Sequence, residues 1–214
     1  RHNLIHDPWK GRRKPVLINH WEATEMYFTA DKLVDIAKEA PHLGIELFVM
    51  DDGWFGARNS DNAGLGDWTV NEEKLPGGLE ALVPRIKKLG MEFGIWIEPE
   101  MVNEDSDLYR AHPDWALSVP GRKPSRGREQ LVLDFSRRDV RDHVYEQIKA
   151  VLSSADISYL KWDMNRSLTE VWSAALPADR QGEVYHRYVL GVYEFAERLR
   201  RDFPDMLIEG CCGG

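Results

Sequence analysis

The stretch LEALVPRIKKLGMEFGIWIE, residues 79–98, contains the unit from which the fold can be inferred. Its first half, residues 79–89, carries apolar residues at helical spacing, and Gly90 follows as an expected C-terminal cap. Its second half, residues 92–98, is a short apolar run that ends before Pro99, which is typical of a buried parallel strand. The segment therefore predicts a helix that leads into a strand.

The same alternation runs along the whole chain. Five further apolar runs predict strands at Val16–Trp21, Leu47–Asp52, Gln130–Phe135, Tyr159–Asp163 and Leu207–Cys211. Helical patterns lie between them at Asp31–Ala40, Val140–Leu152 and Glu183–Arg201, with Ser136 and Asp139 as an expected N-terminal capping pair. Such alternation predicts an α/β fold with parallel strands.

A barrel fits the alternation better than a doubly wound sheet. A doubly wound sheet usually carries a glycine-rich phosphate loop after its first strand, and here that strand ends in Asn19-His20-Trp21-Glu22. We therefore predict a (β/α)8 TIM-type barrel. The predicted strands account for about six of its eight βα units, so residues 1–214 are expected to form one barrel domain that is incomplete at its C-terminus.

Composition excludes several classes of function. The chain has 214 residues and a formal net charge of −8, which argues against a nucleic-acid partner. No apolar run reaches the ~20 residues of a membrane span. The two cysteines, Cys211 and Cys212, are adjacent and cannot build a disulfide framework, so reduced thiols and a cytoplasmic location are expected. The histidines lack metal-ligand spacing such as HExxH, and no metal or other cofactor is expected.

Carboxylates and tryptophans follow almost every predicted strand, at the end where barrels place their chemistry. Asp134 is interpreted as a helix cap, whereas Glu22, Glu100 and Asp67 fit either a cap or a site. Asp51 and Asp52 are expected to turn together towards the rim, where paired carboxylates accept hydrogen bonds from vicinal sugar hydroxyls. A magnesium site on the same pair is a minor alternative.

The segment Lys161-Trp162-Asp163-Met164-Asn165 carries the sharpest local signal. Lys161 and Asp163 are two residues apart, so on a strand they face the same side. A structural ion pair is one interpretation. The other is a carboxylate kept ionised by a nearby cation, as the nucleophile of a glycosidase must be.

Five ordered motifs together resemble the bacterial α-galactosidases of glycoside hydrolase family 36. They are Asn19-His20-Trp21-Glu22-Ala23, Asp51-Asp52-Gly53-Trp54-Phe55, Trp96-Ile97-Glu98-Pro99-Glu100-Met101, Lys161-Trp162-Asp163-Met164-Asn165-Arg166 and Glu209-Gly210-Cys211-Cys212-Gly213-Gly214. The resemblance implies a (β/α)8 barrel, double displacement with retention and no cofactor. The substrates it implies are terminal α-galactosides of the raffinose or melibiose type.

The resemblance also implies roles for individual residues. Asp163 would be the nucleophile. The residues expected to contact the sugar are Asp51, Asp52, Lys161, Trp21, Trp54, Trp96, Arg128, Asn165, Cys211 and Gly213. The general acid/base of the family is an aspartate on a later strand, beyond the Cys-and-Gly motif, so this chain alone is expected to be inactive.

Members of the family carry β-domains on both sides of the barrel, and the bacterial ones are often tetramers, so a homo-oligomeric full-length protein is expected. Three other functions remain open. They are a galactosyl transferase of the same superfamily, a sugar-binding barrel without catalysis, and an α-glucosidase-type barrel in which the selectivity for the 4-hydroxyl is reversed.

Overall fold

The computed structural model describes residues 9–212 of the chain. In chain order its strands and α-helices are β1 (Leu17–Asn19), α1 (Trp21–Thr24), α2 (Ala30–Glu39), β2 (Leu47–Met50), α3 (Gly78–Lys87), β3 (Glu92–Ile97), β4 (Met101–Val102), α4 (Asp107–Ala111), β5 (Leu131–Val132), α5 (Arg138–Ser154), β6 (Tyr159–Trp162), α6 (Val184–Asp202) and β7 (Leu207–Gly210). Short 3-10 turns occupy Pro41–Leu43, Pro113–Trp115 and Ala178–Glu183.

The main sheet contains five strands in the order β1-β2-β3-β6-β7, and each neighbouring pair is parallel. Strands that follow one another in space as they do along the chain, with helices between them, curl into the wall of a barrel. The sheet forms a half-barrel, so the predicted α/β class with parallel strands is confirmed.

The two faces of the sheet are packed differently. In β2, Phe48 and Met50 belong to the large core between the sheet and its helices. Leu47 and Val49 point to the opposite, concave face, where they pack with Tyr159. This alternation follows from the two-residue period of a strand. All four β2 side chains are buried, which explains why the strand lacks polar alternation in the sequence.

Four of the six α-helices in the described residues, α2, α3, α5 and α6, form on the segments that the apolar pattern indicates. The short helices α1 and α4 were not predicted, and α1 begins at Trp21, where the sequence predicted the end of a strand. In α2 the Thr29 side chain accepts a hydrogen bond from the Lys32 backbone N–H, 3.3 Å away, and so caps the first turn. Leu33 and Ala37, which lie one turn apart, are buried against the sheet. Among the helices of residues 9–212, none combines the length and the apolar character that crossing a bilayer requires.

The predicted parallel strand at residues 130–135 is wrong. Only Leu131–Val132 is extended as β5, and it pairs antiparallel with β4 outside the main sheet. Backbone hydrogen bonds tie this segment to the loops after β3, from Leu133 N to Glu100 O at 2.8 Å and from Asp134 N to Trp115 O at 2.7 Å. Its apolar residues are buried like those of a sheet strand, so the sequence pattern could not separate the two cases.

The predicted capping pair of α5 is also wrong. The residue before the helix is Arg137, which makes no side-chain cap. The Ser136 hydroxyl donates to Asp134, and Asp134 also accepts the Ser136 backbone N–H at 3.1 Å. A local turn closed by Asp134 therefore leads into α5.

Gly191 on α6 provides a test of how closely the helix approaches its neighbours. A methyl group at this position would lie 2.0 Å from the Phe135 carbonyl oxygen and 3.0 Å from the Arg141 side chain. Overpacking costs about 1–3 kcal/mol when side chains can yield, and a backbone oxygen yields less readily. We therefore expect Gly191→Ala to lower the thermal unfolding midpoint of the complete protein and its soluble yield.

The matched control is Gly182→Ala, in the turn that precedes the same helix. Nothing lies within 4 Å of the added methyl group there. Thermal unfolding followed by tryptophan fluorescence would compare the two variants. Equal midpoints would show that α6 does not pack as closely as described.

Candidate active site

The polar residues that follow the parallel strands gather at one rim of the sheet. The rim receives Asn19 from β1, Asp51 after β2, Glu98 after β3, Asp163 after β6 and Cys211 after β7. They converge because the carboxyl ends of parallel strands lie on the same edge. The register places Lys161 beside Trp96 on one side and Glu209 on the other, so the side chains of neighbouring strands are in reach of one another.

Asp51 and Lys161 form a partly buried ion pair across this rim. The Lys161 Nζ donates to Asp51 Oδ2 at 2.8 Å, and Asn19 Nδ2 donates to the same oxygen. Burial on its own lowers the pKa of Lys161, but the hydrogen bond and the charge of Asp51 outweigh it and the pKa is raised. The lysine is therefore a charged donor whose direct partner is Asp51. Asp163 contributes a weaker attraction.

The carboxylate of Asp163 is held by a set of neutral donors. Its Oδ2 accepts the indole N–H of Trp96 at 3.1 Å and the amide of Asn165 at 2.9 Å. Its Oδ1 accepts the backbone N–H of Met164 at 2.8 Å. Hydrogen bonds to the charged form favour a carboxylate. The three hydrogen bonds fix the direction of the carboxylate. Asp163 is 6% exposed, so a small part of the residue is still accessible at the rim.

Cys211 lies against this carboxylate from the neighbouring strand. Its thiol is hydrogen-bonded to Asp163, and its backbone N–H donates to the Trp162 carbonyl at 2.7 Å. Burial, followed by the negative charge of Asp163, raises the pKa of the thiol. Cys211 is therefore a neutral thiol at neutral pH.

The carboxylate of Asp52 is bound by Arg58, a residue that no sequence motif indicated. Arg58 is fully buried, and it grips the carboxylate of Asp52 with Nε at 3.0 Å from Oδ1 and Nη2 at 2.8 Å from Oδ2. Its Nη1 donates to three backbone carbonyls and to Asn103 Oδ1. Burial raises the pKa of Asp52, and Arg58 opposes that shift. An arginine six residues after an acidic pair has no distinctive spacing, so only the fold identifies this contact.

The three predicted tryptophans have different surroundings. Trp21 is half-buried on α1, and its backbone N–H donates to Asn19 Oδ1 at 2.8 Å. Trp96 is 1% exposed and meets the site through its indole N–H, so it holds Asp163 instead of presenting a broad face. The expected sugar contact of Trp54 does not fit its position. Its ring is fully buried, and its N–H donates to the Trp96 carbonyl at 2.9 Å.

The remaining predicted residues lie further from the centre or outside the described chain. The Arg128 side chain is 45% exposed, and its Nη2 lies 3.8 Å from Asp61 Oδ1. Asp61 in turn lies 3.7 Å from Nη2 of Arg58, the residue that binds Asp52. Arg128 is therefore connected to the site indirectly, through Asp61 and Arg58. Asn165 uses its side chain on Asp163. Gly213 lies outside the described residues.

Glu98 is the second buried acid beside Asp163. It is 0% exposed, its Oε1 accepts the Asn165 backbone N–H, and its Oε2 accepts Gln130 Nε2 at 3.1 Å. Burial, together with the charges of Asp163 and Asp52, raises the pKa of Glu98 to about 7, whereas the hydrogen bonds from Asn165 lower it.

The acids of the rim are bonded to donors that the protein itself supplies. Within residues 9–212, no three or more His, Cys, Asp or Glu side chains are grouped so that they could hold an ion. Asp51 and Asp52, the pair considered for magnesium, are each matched to a cation of the protein. His20, at the end of β1, is fully buried, and burial lowers its pKa to about 4, so the imidazole is neutral.

Known proteins resemble this chain over its entire length. The bifunctional α-galactosidase/sucrose kinase AgaSK of Mediterraneibacter gnavus is 56% identical over 214 residues, which are 100% of this chain and 22% of AgaSK. The α-galactosidase AgaA of Geobacillus stearothermophilus is 53% identical over 214 residues, which are 100% of this chain and 29% of AgaA. The chain thus spans less than a third of the length of these relatives.

Solved structures have the same architecture. The crystal structure of AgaA, a glycoside hydrolase family 36 α-galactosidase, superposes with a TM-score of 0.94 at 54% identity, over 97% of this chain and 29% of AgaA. A variant of AgaA in complex with raffinose gives the same TM-score of 0.94 and covers the same shares of both chains. The melibiase family matches residues 1–214, and the chain belongs to the melibiase family of glycoside hydrolase family 36.

Proposed function

We propose that the protein containing this chain hydrolyses terminal α-D-galactosyl residues of oligosaccharides, with Asp163 as the nucleophile of a retaining double displacement. The observation that carries the proposal is the Asp163 carboxylate, fixed by three N–H donors and flanked by an acid–lysine pair at the rim. The AgaA variant that was solved with raffinose supports the substrate class.

The charged pair supplies the groups that recognise the sugar. The Lys161 ammonium has three N–H donors, and one of them is hydrogen-bonded to Asp51. An ionised carboxylate has about four acceptor sites, so Asp51 and Asp52 retain acceptors beside the bonds they already make. Because the bonds to Lys161 and Arg58 fix these carboxylates, they present acceptors at defined positions to the hydroxyls of galactose.

The chemical steps use the fixed carboxylate. An oxygen of Asp163 attacks the anomeric carbon as the bond to the leaving oxygen breaks, and a covalent galactosyl-enzyme forms. A water molecule then attacks that carbon from the opposite face, the bond to Asp163 breaks, and galactose is released with its original anomeric configuration. A general acid/base protonates the leaving oxygen in the first step and accepts a proton from the water in the second. We propose that the general acid/base comes from a later strand of the complete barrel, as the family resemblance implies.

The donors on Asp163 also bear on the rate. The indole N–H of Trp96 and the amide of Asn165 both bind Oδ2, so they aim the carboxylate without adding a formal charge. An oriented nucleophile meets the reacting carbon with little loss of entropy at the moment of reaction.

From the family resemblance we further propose that the complete protein is a cytoplasmic homotetramer, with β-domains on both sides of a (β/α)8 barrel.

The relative activity on an α-galactoside and on the corresponding α-glucoside tests which sugar the site recognises. Galactose differs from glucose in its axial 4-hydroxyl, which Asp51 and Asp52 are proposed to read. A site that hydrogen-bonds a hydroxyl rejects the isomer because its buried acceptors are left unpaired. We expect the complete enzyme to turn over 4-nitrophenyl α-galactoside with a far higher kcat/KM than the α-glucoside. Comparable values would contradict the assignment.

The nucleophile is tested by Asp163→Asn. The substitution keeps the shape of the side chain but removes the negative charge that stabilises an oxocarbenium-like transition state. We expect kcat of the complete enzyme to fall by several orders of magnitude, with little change in the thermal unfolding midpoint. Azide should restore part of the rate and produce the β-azide, because it attacks from the vacated face.

The control is Asp31→Asn on the exposed face of α2, where the side chain is 84% exposed and its loss should leave the activity intact. In the wild-type enzyme, a mechanism-based fluorosugar that traps the galactosyl-enzyme should label Asp163, as peptide mapping would show. A label on another carboxylate, such as Asp51, Asp52 or Glu98, would refute the assignment.

A further inference from the structure

The ladder of backbone hydrogen bonds between β3 and β6 ends at Asp163, the proposed nucleophile. The last regular contact carries the Asp163 backbone N–H to the Ile97 carbonyl at 2.8 Å. In a parallel ladder the next donor is two residues further on, at Asn165, and its acceptor would be the carbonyl of Pro99. The chain after β3 turns away at that point, since the Glu98 carbonyl accepts the Met101 N–H at 3.3 Å.

The Glu98 side chain takes the place of the missing contact. Its Oε1 accepts the Asn165 backbone N–H. The Asn165 side chain then extends from that anchored backbone and donates to Asp163 Oδ2 at 2.9 Å. A continuous chain of hydrogen bonds therefore runs from Glu98 through Asn165 to the proposed nucleophile.

A second anchor prevents the Glu98 carboxyl group from rotating. Its Oε2 accepts Gln130 Nε2 at 3.1 Å, and Gln130 is 1% exposed. The Gln130 carbonyl in turn accepts Nη1 of Arg166 at 2.9 Å, so the segment after Asp163 is tied down at two successive residues. With both oxygens engaged and no exposure, Glu98 cannot meet a substrate, and its action must pass through Asn165.

The electrostatics agree with a supporting role. The negative charges facing Glu98 are Asp163, which follows β6, and Asp52, which follows β2 and is paired with Arg58. Burial and these charges raise the pKa of Glu98 to about 7. Both the neutral and the ionised carboxyl group can accept the Asn165 N–H. The neutral form does so without adding a second negative charge beside Asp163.

We propose that Glu98 is a positioning residue: it replaces the missing backbone acceptor at the end of the β3–β6 ladder and so aims Asn165, and through it Asp163, at the anomeric carbon. The proposal rests on the function proposed above. It assigns to Glu98 no contact with the substrate and no proton transfer.

The test compares Glu98→Ala and Glu98→Gln in the complete enzyme. The amide oxygen of glutamine can still accept the Asn165 N–H, while its NH2 group faces Gln130, whose own amide can rotate to present its oxygen. Alanine removes both contacts. The readouts are the rate constant for labelling of Asp163 by the fluorosugar, expressed per folded molecule, and the inhibition constant of galactose.

Misplacing a reacting group by 1 Å costs about 10²-fold in rate. We therefore expect Glu98→Ala to label about 10²-fold more slowly than wild type, while its galactose inhibition constant stays close to the wild-type value. Glu98→Gln should label at nearly the wild-type rate. A loss of global folding would instead change affinity, labelling and thermal stability together.

The matched control is Glu100→Gln, two residues along the same segment. Glu100 is also a buried acid, but its carboxylate accepts from Trp162 Nε1 at 3.1 Å and from the Tyr188 hydroxyl. Neither bond leads to Asn165, so the labelling rate of folded Glu100→Gln should be that of wild type.

Two results would overturn the proposal: wild-type labelling of Asp163 in Glu98→Ala, or equally slow labelling in Glu98→Gln and Glu98→Ala. The second would mean that the charge or the proton of Glu98 matters, and not its place as an acceptor. If the wild-type label is not on Asp163, the proposed function itself fails, and that outcome is distinct from both.

Discussion

The requirement that buried carboxylates be compensated organises this structure. A buried carboxylate without donors costs far more than most single contacts contribute, so each acid at the rim has a dedicated set of partners. Asp51 is bound by Lys161 and Asn19, and Asp52 is bound by Arg58. These partners come from different strands and loops, so their pairing also joins those elements at the rim.

The compensation differs between the acids, and the difference fits their proposed roles. Asp51 and Asp52 are paired with the cations Lys161 and Arg58, which suits their proposed role as acceptors for the hydroxyl groups of the sugar. Asp163 is matched by neutral N–H donors, which orient it without pairing its charge with a direct cation. A nucleophile that was locked in an ion pair would lose reactivity, whereas one held by weaker donors keeps its charge for the developing oxocarbenium centre.

The register of β3 against β6 decides which groups can act together. Because Trp96 lies opposite Lys161, the indole N–H and the ammonium enter the same rim from adjacent strands. The ladder ends at Asp163, and the side chain of Glu98 continues it where the backbone turns away. The backbone ladder of β3 and β6 thus extends as far as Asp163, and beyond it the Glu98 side chain supplies the acceptor for the Asn165 N–H.

The sequence alone determined the α/β class, the four longer helices, the five strands of the main sheet and the motifs that mark the rim, because periodicity and strand-end chemistry are local properties. The short helices α1 and α4 carry too few apolar positions to show a helical period. It did not separate residues 130–135 from a sheet strand, since burial looks the same in both arrangements.

Tertiary structure alone decided how the charges are paired. Lys161 reaches Asp51 across 110 positions of sequence, although Asp163 lies only two residues away. The contacts of Arg58 with Asp52 and of Glu98 with Asn165, and the burial of Trp54 in the core, depend on the tertiary structure in the same way. The pairing of donors and acceptors depends on strand register and on the points at which loops leave the sheet. The local spacing of residues along the chain predicts neither of these.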